Sequence, residues 1–163
     1  MTRSLIFILF IVLLTVTNIV EGRCQSGKLP PFAIMQANGK IFRAHELPVR
    51  KPMVIIYFSP ECDHCHILMK DFLKNEATFR RASVVMITHL AVGKVAQFVQ
   101  RYALNKYPNV FVGTEGTWLF VKNYYKIIEM PFIALHDSNG SLVKIFREEG
   151  TLPDVVKQLN NLK

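Results

Sequence analysis

The sequence predicts an α/β domain, and three features carry that prediction. Continuously apolar, β-branched runs, led by residues 53–59 (MVIIYFS), alternate with stretches of helical periodicity. A C-x-x-C pair, Cys62 and Cys65, directly follows the MVIIYFS run and opens one of the periodic stretches. Near the C-terminus, two strand-like runs flank Ser138-Asn139-Gly140, a turn sequence that adds an antiparallel pair.

The chain of 163 residues has room for one domain, and half of it is hydrophobic. Part of that fraction is N-terminal. Residues 5–16, LIFILFIVLLTV, are almost wholly apolar and follow a single charge, Arg3. Residues 17–22, TNIVEG, are more polar, and Val20 and Gly22 suit the −3 and −1 positions of a cleavage site. Residues 1–22 therefore read as a secretory signal peptide. The apolar run is shorter than the roughly 20 residues of a bilayer span, so an N-terminal anchor is the second reading. Cys24 reads as a lone thiol on a tail. The Glu21-Gly22-Arg23 before it lacks the small, uncharged character of a lipoprotein site.

The folded domain is expected over 29–163. After Pro30-Pro31, FAIMQ reads as a strand, Asn38-Gly39 as a tight turn, and KIFRAHEL as the returning strand. MVIIYFS shows no alternation, the mark of a strand buried on both faces. Beyond it, Cys65, Leu68, Met69, Phe72 and Leu73 fall at i, i+3, i+4, i+7 and i+8, a helix stripe. SVVMITHL (83–90) reads as a second buried strand, VAQFVQRYAL (95–104) as a helix, and NVFVG (109–113) as a short strand. WLFVKNYYKII (118–128) has helical periodicity through Leu119, Val121, Tyr125 and Ile128. FIALHD and SLVKIFR form the last hairpin. Thr151 caps a final helix, LPDVVKQLNNL, with Pro153 in its first turn, where its missing N–H costs nothing. No internal repeat is visible.

The formal net charge is +8, and Arg3 and Glu21 cancel, so residues 23–163 keep all of it. The charges are scattered, without a run of five like charges or an aromatic-basic signature. They read as a solvated surface, and no nucleic-acid partner is expected.

The stretch Cys62-Asp63-His64-Cys65-His66 admits several chemistries. An exported chain meets an oxidising environment, where thiols are disulfide-bonded or redox-active. A redox dithiol needs one partly exposed, acidic thiol and a second close enough to resolve a mixed disulfide. At a strand-to-helix turn, the first cysteine meets the unpaired N–H groups of the helix start. Cys62 is thus the expected nucleophile and Cys65, about one turn inward, the resolving thiol. His64 between them favours the Cys62 thiolate when protonated, and Asp63 opposes it. The same residues spell C-x-x-C-H, a c-type haem attachment signal with His66 as axial ligand. That reading leaves the strand–helix context unexplained. Zinc would need a fourth ligand; His45, His89 and His136 stand singly in or beside strand-like runs and read as structural or exposed.

VIIYFSPECDHC, with MPFIALHDSNGSLVKIF downstream, resembles the thioredoxin-fold family, specifically the secreted, peroxiredoxin-related thiol–disulfide oxidoreductases that include the cytochrome-c-maturation thiol reductases. The likeness covers roughly residues 29–160. It implies a thioredoxin-like, three-layer α/β fold with a central mixed sheet flanked by helices, an N-terminal β-hairpin, and an inserted strand and helix between 105 and 128. It implies a cis bond before Pro131, with the backbone of Met130 held beside the dithiol to pair with a partner peptide. It implies a redox-active Cys62–Cys65 disulfide and no separate cofactor. Protein thiols or disulfides would be the substrates, with an upstream redox partner protein. The location would be the periplasm, or the outer face of the inner membrane if the N-terminal segment is kept as an anchor. This chain departs from plain thioredoxin in having Glu61 before Cys62 and Asp-His between the cysteines. The acidic residue that thioredoxin buries below its disulfide falls at Ile56. Glu61 or water is then the expected proton acceptor for Cys65. A peroxiredoxin-like peroxidase is a rival reading: Ser59 stands three residues before Cys62 as that motif requires, but Ile55 occupies its proline position. A binding domain with a static disulfide is the rival of a different class.

Overall fold

The run at 53–59 lies at the centre of the molecule, as its lack of alternation requires. Its residues Met53–Tyr57 form a strand, here β3, with every residue buried. In this computed structural model, which describes residues 27–147 and 152–162, a seven-stranded mixed sheet surrounds it. The proposed signal segment, Cys24 and the Thr151 cap lie outside the described residues.

The other strands are β1 (Ala33–Gln36), β2 (Ile41–Arg43), β4 (Ser83–Thr88), β5 (Val110–Thr114), β6 (Phe132–His136) and β7 (Leu142–Phe146). The helices are α1 (Asp63–Lys74), α2 (Glu76–Phe79), α3 (Val92–Arg101), α4 (Phe120–Tyr124) and α5 (Leu152–Asn161). The strand order is β2-β1-β5-β4-β3-β6-β7. β3, β4 and β5 run parallel, β6 pairs antiparallel with β3, and the two hairpins close the edges.

Alternate residues of the central strands feed two cores. Val54, Ile56, Val84, Met86, Ile133 and Leu135 pack with the apolar faces of α1, α2, α3 and α5. Ile55, Tyr57, Val85, Ile87, Phe132 and Ala134 pack on the opposite side. There the cover is Val121 and Tyr125, with Phe32, Ile34, Phe42 and Leu47 from the N-terminal hairpin region. So the longer helices share one face, and the other is closed mainly by α4 and irregular chain. Each large side chain fully withdrawn from water, such as Phe58, Phe72 and Phe79, contributes about 2 kcal/mol.

Two segments differ from expectation. The return strand at 40–47 pairs only over Ile41–Arg43, then tightens into a 3-10 turn at Ala44–Glu46. Glu46 accepts the Arg43 N–H at 2.8 Å, a local bond that competes with the ladder. The helix expected over 118–128 is broken. Gly116–Trp118 is a 3-10 turn, Leu119 is left-handed at φ 48°, and only Phe120–Tyr124 is α-helical. Val121, Tyr125 and Ile127 are buried, but Ile128, expected on the apolar stripe, is 86% exposed. The C-terminal hairpin turns as its sequence suggests. Asp137 Oδ1 accepts the N–H groups of Asn139 and Ser141, and Gly140 takes φ 75°.

Candidate dithiol site

The site lies outside the carboxyl ends of the parallel strands, where such sheets usually place ligands. β3 ends at Tyr57, the register partner of Phe132, so the chain leaving β3 and the chain entering β6 share one end of the sheet. The start of α3 reaches the same end, because β4 runs parallel to β3.

Ser59 shapes the turn that presents Cys62. Its hydroxyl accepts the Glu61 N–H at 3.2 Å and its carbonyl accepts the Cys62 N–H at 3.1 Å. Cys62 is the N-cap of α1, with extended backbone at φ −97°, ψ 121°. Its Sγ accepts the Cys65 N–H at 3.4 Å, in the place a serine or aspartate oxygen takes at other helix starts. The Cys62 carbonyl accepts the His66 N–H and begins the helical ladder. On its other side the Cys62 thiol donates to the carbonyl of Met130 at 3.5 Å. Met130–Pro131 is a cis peptide, and Pro131 is buried.

Cys62 is partly exposed and Cys65 is buried; both are free thiols here. Burial pushes the Cys65 thiol up to about 12, helped by its hydrogen bond to Cys62 and by the charge of Cys62. A backbone hydrogen bond at Ser59 works in the opposite sense. Cys65 therefore keeps its proton at neutral pH while Cys62 remains the accessible sulfur.

His64 and Asp63 are exposed on the first turn of α1. His66 turns toward α3, where its Nδ1 bonds the Tyr102 hydroxyl at 2.6 Å and its ring leans on Phe98. Ile55 and Ile56 are fully buried on opposite faces of β3. Glu61 is exposed and pairs with Lys94 at 2.7 Å, which holds its carboxyl below the usual range. His45 is exposed. His136 is buried between the Tyr125 hydroxyl at 2.7 Å and the Gly140 carbonyl at 3.2 Å. His89 stacks over Tyr57.

One buried carboxylate escapes a reading of the sequence. Glu115, at the end of β5, accepts the Tyr57 hydroxyl at 2.7 Å and the N–H groups of Val121 and Lys122 at 2.7 and 3.3 Å. Burial, then the Glu115 hydrogen bond and charge, push the Tyr57 phenol far up. Tyr57 belongs to the core opposite Cys65, so this carboxylate lies across the sheet from the buried thiol. Its role is to tie α4 to the central strand. Beside it opens an apolar groove of about 620 Å³, rimmed by Met35, Ile41 and an 87% exposed Trp118. A Glu-Gly-Thr-Trp stretch carries no pattern that foretells either feature.

No protein-family model matches the chain, and no curated protein matches it by sequence. Solved structures do. A secreted Mycobacterium tuberculosis disulfide oxidoreductase homologous to E. coli DsbE superposes with a TM-score of 0.67 at 18% identity, covering 81% of this chain and 96% of that one. The exposed lipoprotein thioredoxin Etrx1 of Streptococcus pneumoniae gives 0.63 at 19%, covering 82% and 100%. Peroxidoxin BcpB of M. tuberculosis gives 0.69 at 16%, covering 83% and 96%. At such identities the likeness speaks for the backbone arrangement, and that arrangement is a thioredoxin-like α/β fold.

Proposed function

We propose that this chain is an exported thiol–disulfide oxidoreductase working through Cys62 and Cys65. The observation that carries the reading is the placement of the sulfurs. Cys62 caps α1, partly exposed and beside the Met130 carbonyl, with a buried, protonated Cys65 one turn behind it. The likeness to a disulfide oxidoreductase and a lipoprotein thioredoxin agrees with it.

In the reducing direction, the Cys62 thiolate attacks one sulfur of a substrate disulfide. A mixed disulfide forms, and the other substrate sulfur leaves as a thiolate that takes a proton from solvent. Cys65 then loses its proton to water or Glu61 and attacks Cys62 Sγ. The Cys62–Cys65 disulfide forms and the second substrate thiol departs, with two electrons transferred. The oxidising direction is the reverse. The dithiol is its own redox group, so no separate cofactor is required. Met130 and Pro131 form the wall against which the substrate backbone lies, and His64 stands on the first turn of α1 between the two cysteines. Residues 1–22 direct export to the periplasm, and an upstream redox protein resets the dithiol.

The likeness to a peroxidoxin favours a peroxidase as second reading. It has less support, because the Ser59 hydroxyl is engaged by the Glu61 N–H and Ile55 is core.

The deciding experiment equilibrates residues 23–163 in glutathione buffers and counts alkylated thiols by intact mass. A potential near about −270 mV makes the chain a reductase, and one between about −180 and −120 mV a disulfide donor or isomerase. A pair that stays unreduced throughout, with a Cys65→Ser variant that traps no partner, overturns the proposal. Peroxide consumption without protein disulfide exchange replaces it with the peroxidase.

A further inference from the structure

A cleft of about 220 Å³ opens beside Cys62, between the start of α1 and the exposed side of α3. One wall is Pro60, Glu61 and His66; the other is Lys94, Gln97 and Arg101. The first wall belongs to the dithiol turn. Pro60 and Glu61 immediately precede Cys62, and the N–H of His66 donates to the Cys62 carbonyl. The second wall is one stripe of α3. Its three residues are spaced i, i+3 and i+7, while Val95 and Phe98 of the same helix enter the core.

The charges in this cleft do not cancel. Lys94 is matched by Glu61 at 2.7 Å. Among the described residues, no carboxylate pairs with Arg101. The cleft thus holds two cations against one anion, with the Gln97 amide between the cations in sequence. A guanidinium presents its donors in a fork that suits a carboxylate, and an amide N–H₂ adds another donor. We propose that this cleft is a subsite for an acidic side chain, Asp or Glu, close in sequence to the reacting cysteine of a polypeptide substrate. The proposal rests on the reading of Cys62 as the attacking sulfur and assigns that site a preference for acidic partner segments.

The test uses three disulfides: a peptide flanked by Glu, the same peptide flanked by Lys, and neutral hydroxyethyl disulfide. Glutathione disulfide is a fourth, small carboxylate-bearing probe. At low salt the pre-reduced wild type, in a single turnover, should react with the Glu peptide with a second-order rate constant roughly fivefold higher than with the Lys peptide, the scale of one exposed ion pair. High salt should erase the difference. Arg101→Glu should reverse the preference, read as the ratio of the Glu-peptide to the Lys-peptide rate within each protein, with hydroxyethyl disulfide as the reference for any general change at the dithiol. A wild type indifferent to the flank, or a preference that survives Arg101→Glu, overturns the subsite. So does an Arg101 dependence confined to glutathione disulfide. A second readout does not need turnover: a Glu-flanked peptide with serine in place of cysteine should shift the NMR signals of the Arg101 guanidinium and Gln97 amide, and a Lys-flanked one should not. If the reduced chain exchanges with no disulfide and the oxidised chain with no dithiol peptide, the oxidoreductase reading falls, and the titration alone keeps or overturns the subsite.

Discussion

The asymmetry between the two thiols can be measured directly. Burial, helped by the hydrogen bond and charge of Cys62, pushes the Cys65 thiol up to about 12. Only the thiolate attacks an alkylating reagent such as iodoacetamide, displacing iodide. At pH 8, a thiol of pKa 9.0 is about one-tenth ionised, and one near 12 is about 10⁻⁴ ionised, so Cys65 should react roughly a thousandfold more slowly than an ordinary thiol. The raised value favours the protonated form, so the Cys65 rate should climb about tenfold per pH unit until the fold fails or pH 12 is reached. The assay is a short iodoacetamide pulse on the reduced chain, then digestion and site-resolved mass spectrometry. Cys62 should be labelled and Cys65 spared at pH 8; in guanidinium both should label alike. Two of the influences holding Cys65 up come from Cys62. In Cys62→Ser the Cys65 profile should therefore move to lower pH. Equal labelling of the two cysteines in the folded chain at pH 8 would refute the reasoning, since it leaves no room for a desolvated, protonated Cys65.

Three further outcomes follow from the packing. Glu115→Gln and Tyr57→Phe each disrupt a bond to a charged acceptor and should cost about 2 kcal/mol in urea unfolding; because they share that bond, the double variant should cost less than the sum, and strict additivity would separate them. Gly113→Ala would put a Cβ 2.8 Å from the Met35 carbonyl and 2.9 Å from Ile34 Cβ, so calorimetry should show a loss of about 1–3 kcal/mol as β1 is pushed from β5. Burial pushes the His136 imidazole below its ordinary 6.5. The folded chain then binds fewer protons than the unfolded one as pH falls through 6.5. Stability should be full above that pH and decline below it, and His136→Leu should remove this part of the Tm slope.

What could be read in advance follows from where the determining forces lie. β3 was legible because a strand buried on both faces must be apolar throughout, and Val54 to Tyr57 all are. α1 was legible because Cys65, Leu68, Met69 and Phe72 all enter one core. The dithiol turn was legible because a strand, a C-x-x-C and a helix stripe adjoin in sequence. The region 116–128 was not. Its periodicity is genuine at Val121 and Tyr125, but Leu119 takes a left-handed backbone that no glycine announces. The local organiser there is Glu115, whose partner Tyr57 lies 58 residues away. Lys94 and Arg101 likewise looked like scattered surface charge until β4, parallel to β3, set α3 beside Cys62.

The departure at Ile56 bears on how the proposed chemistry would run. With an apolar side chain below the sulfurs and Glu115 across the sheet, the buried face offers Cys65 no carboxylate among these residues. Deprotonation of Cys65 then depends on what changes at Cys62. While Cys62 is a thiolate, its hydrogen bond and its charge both hold the proton on Cys65. Once Cys62 is joined to a substrate sulfur, it is neutral and has no proton to exchange. Both influences end, while the opposing backbone hydrogen bond at Ser59 stays. Formation of the mixed disulfide would therefore ease the loss of the Cys65 proton to water or Glu61, although burial, the largest of the three influences, remains. In the proposed exchange, Cys65 would thus hold its proton in the resting dithiol and release it more readily once a substrate sulfur is attached, which is the order of events that two-step exchange needs.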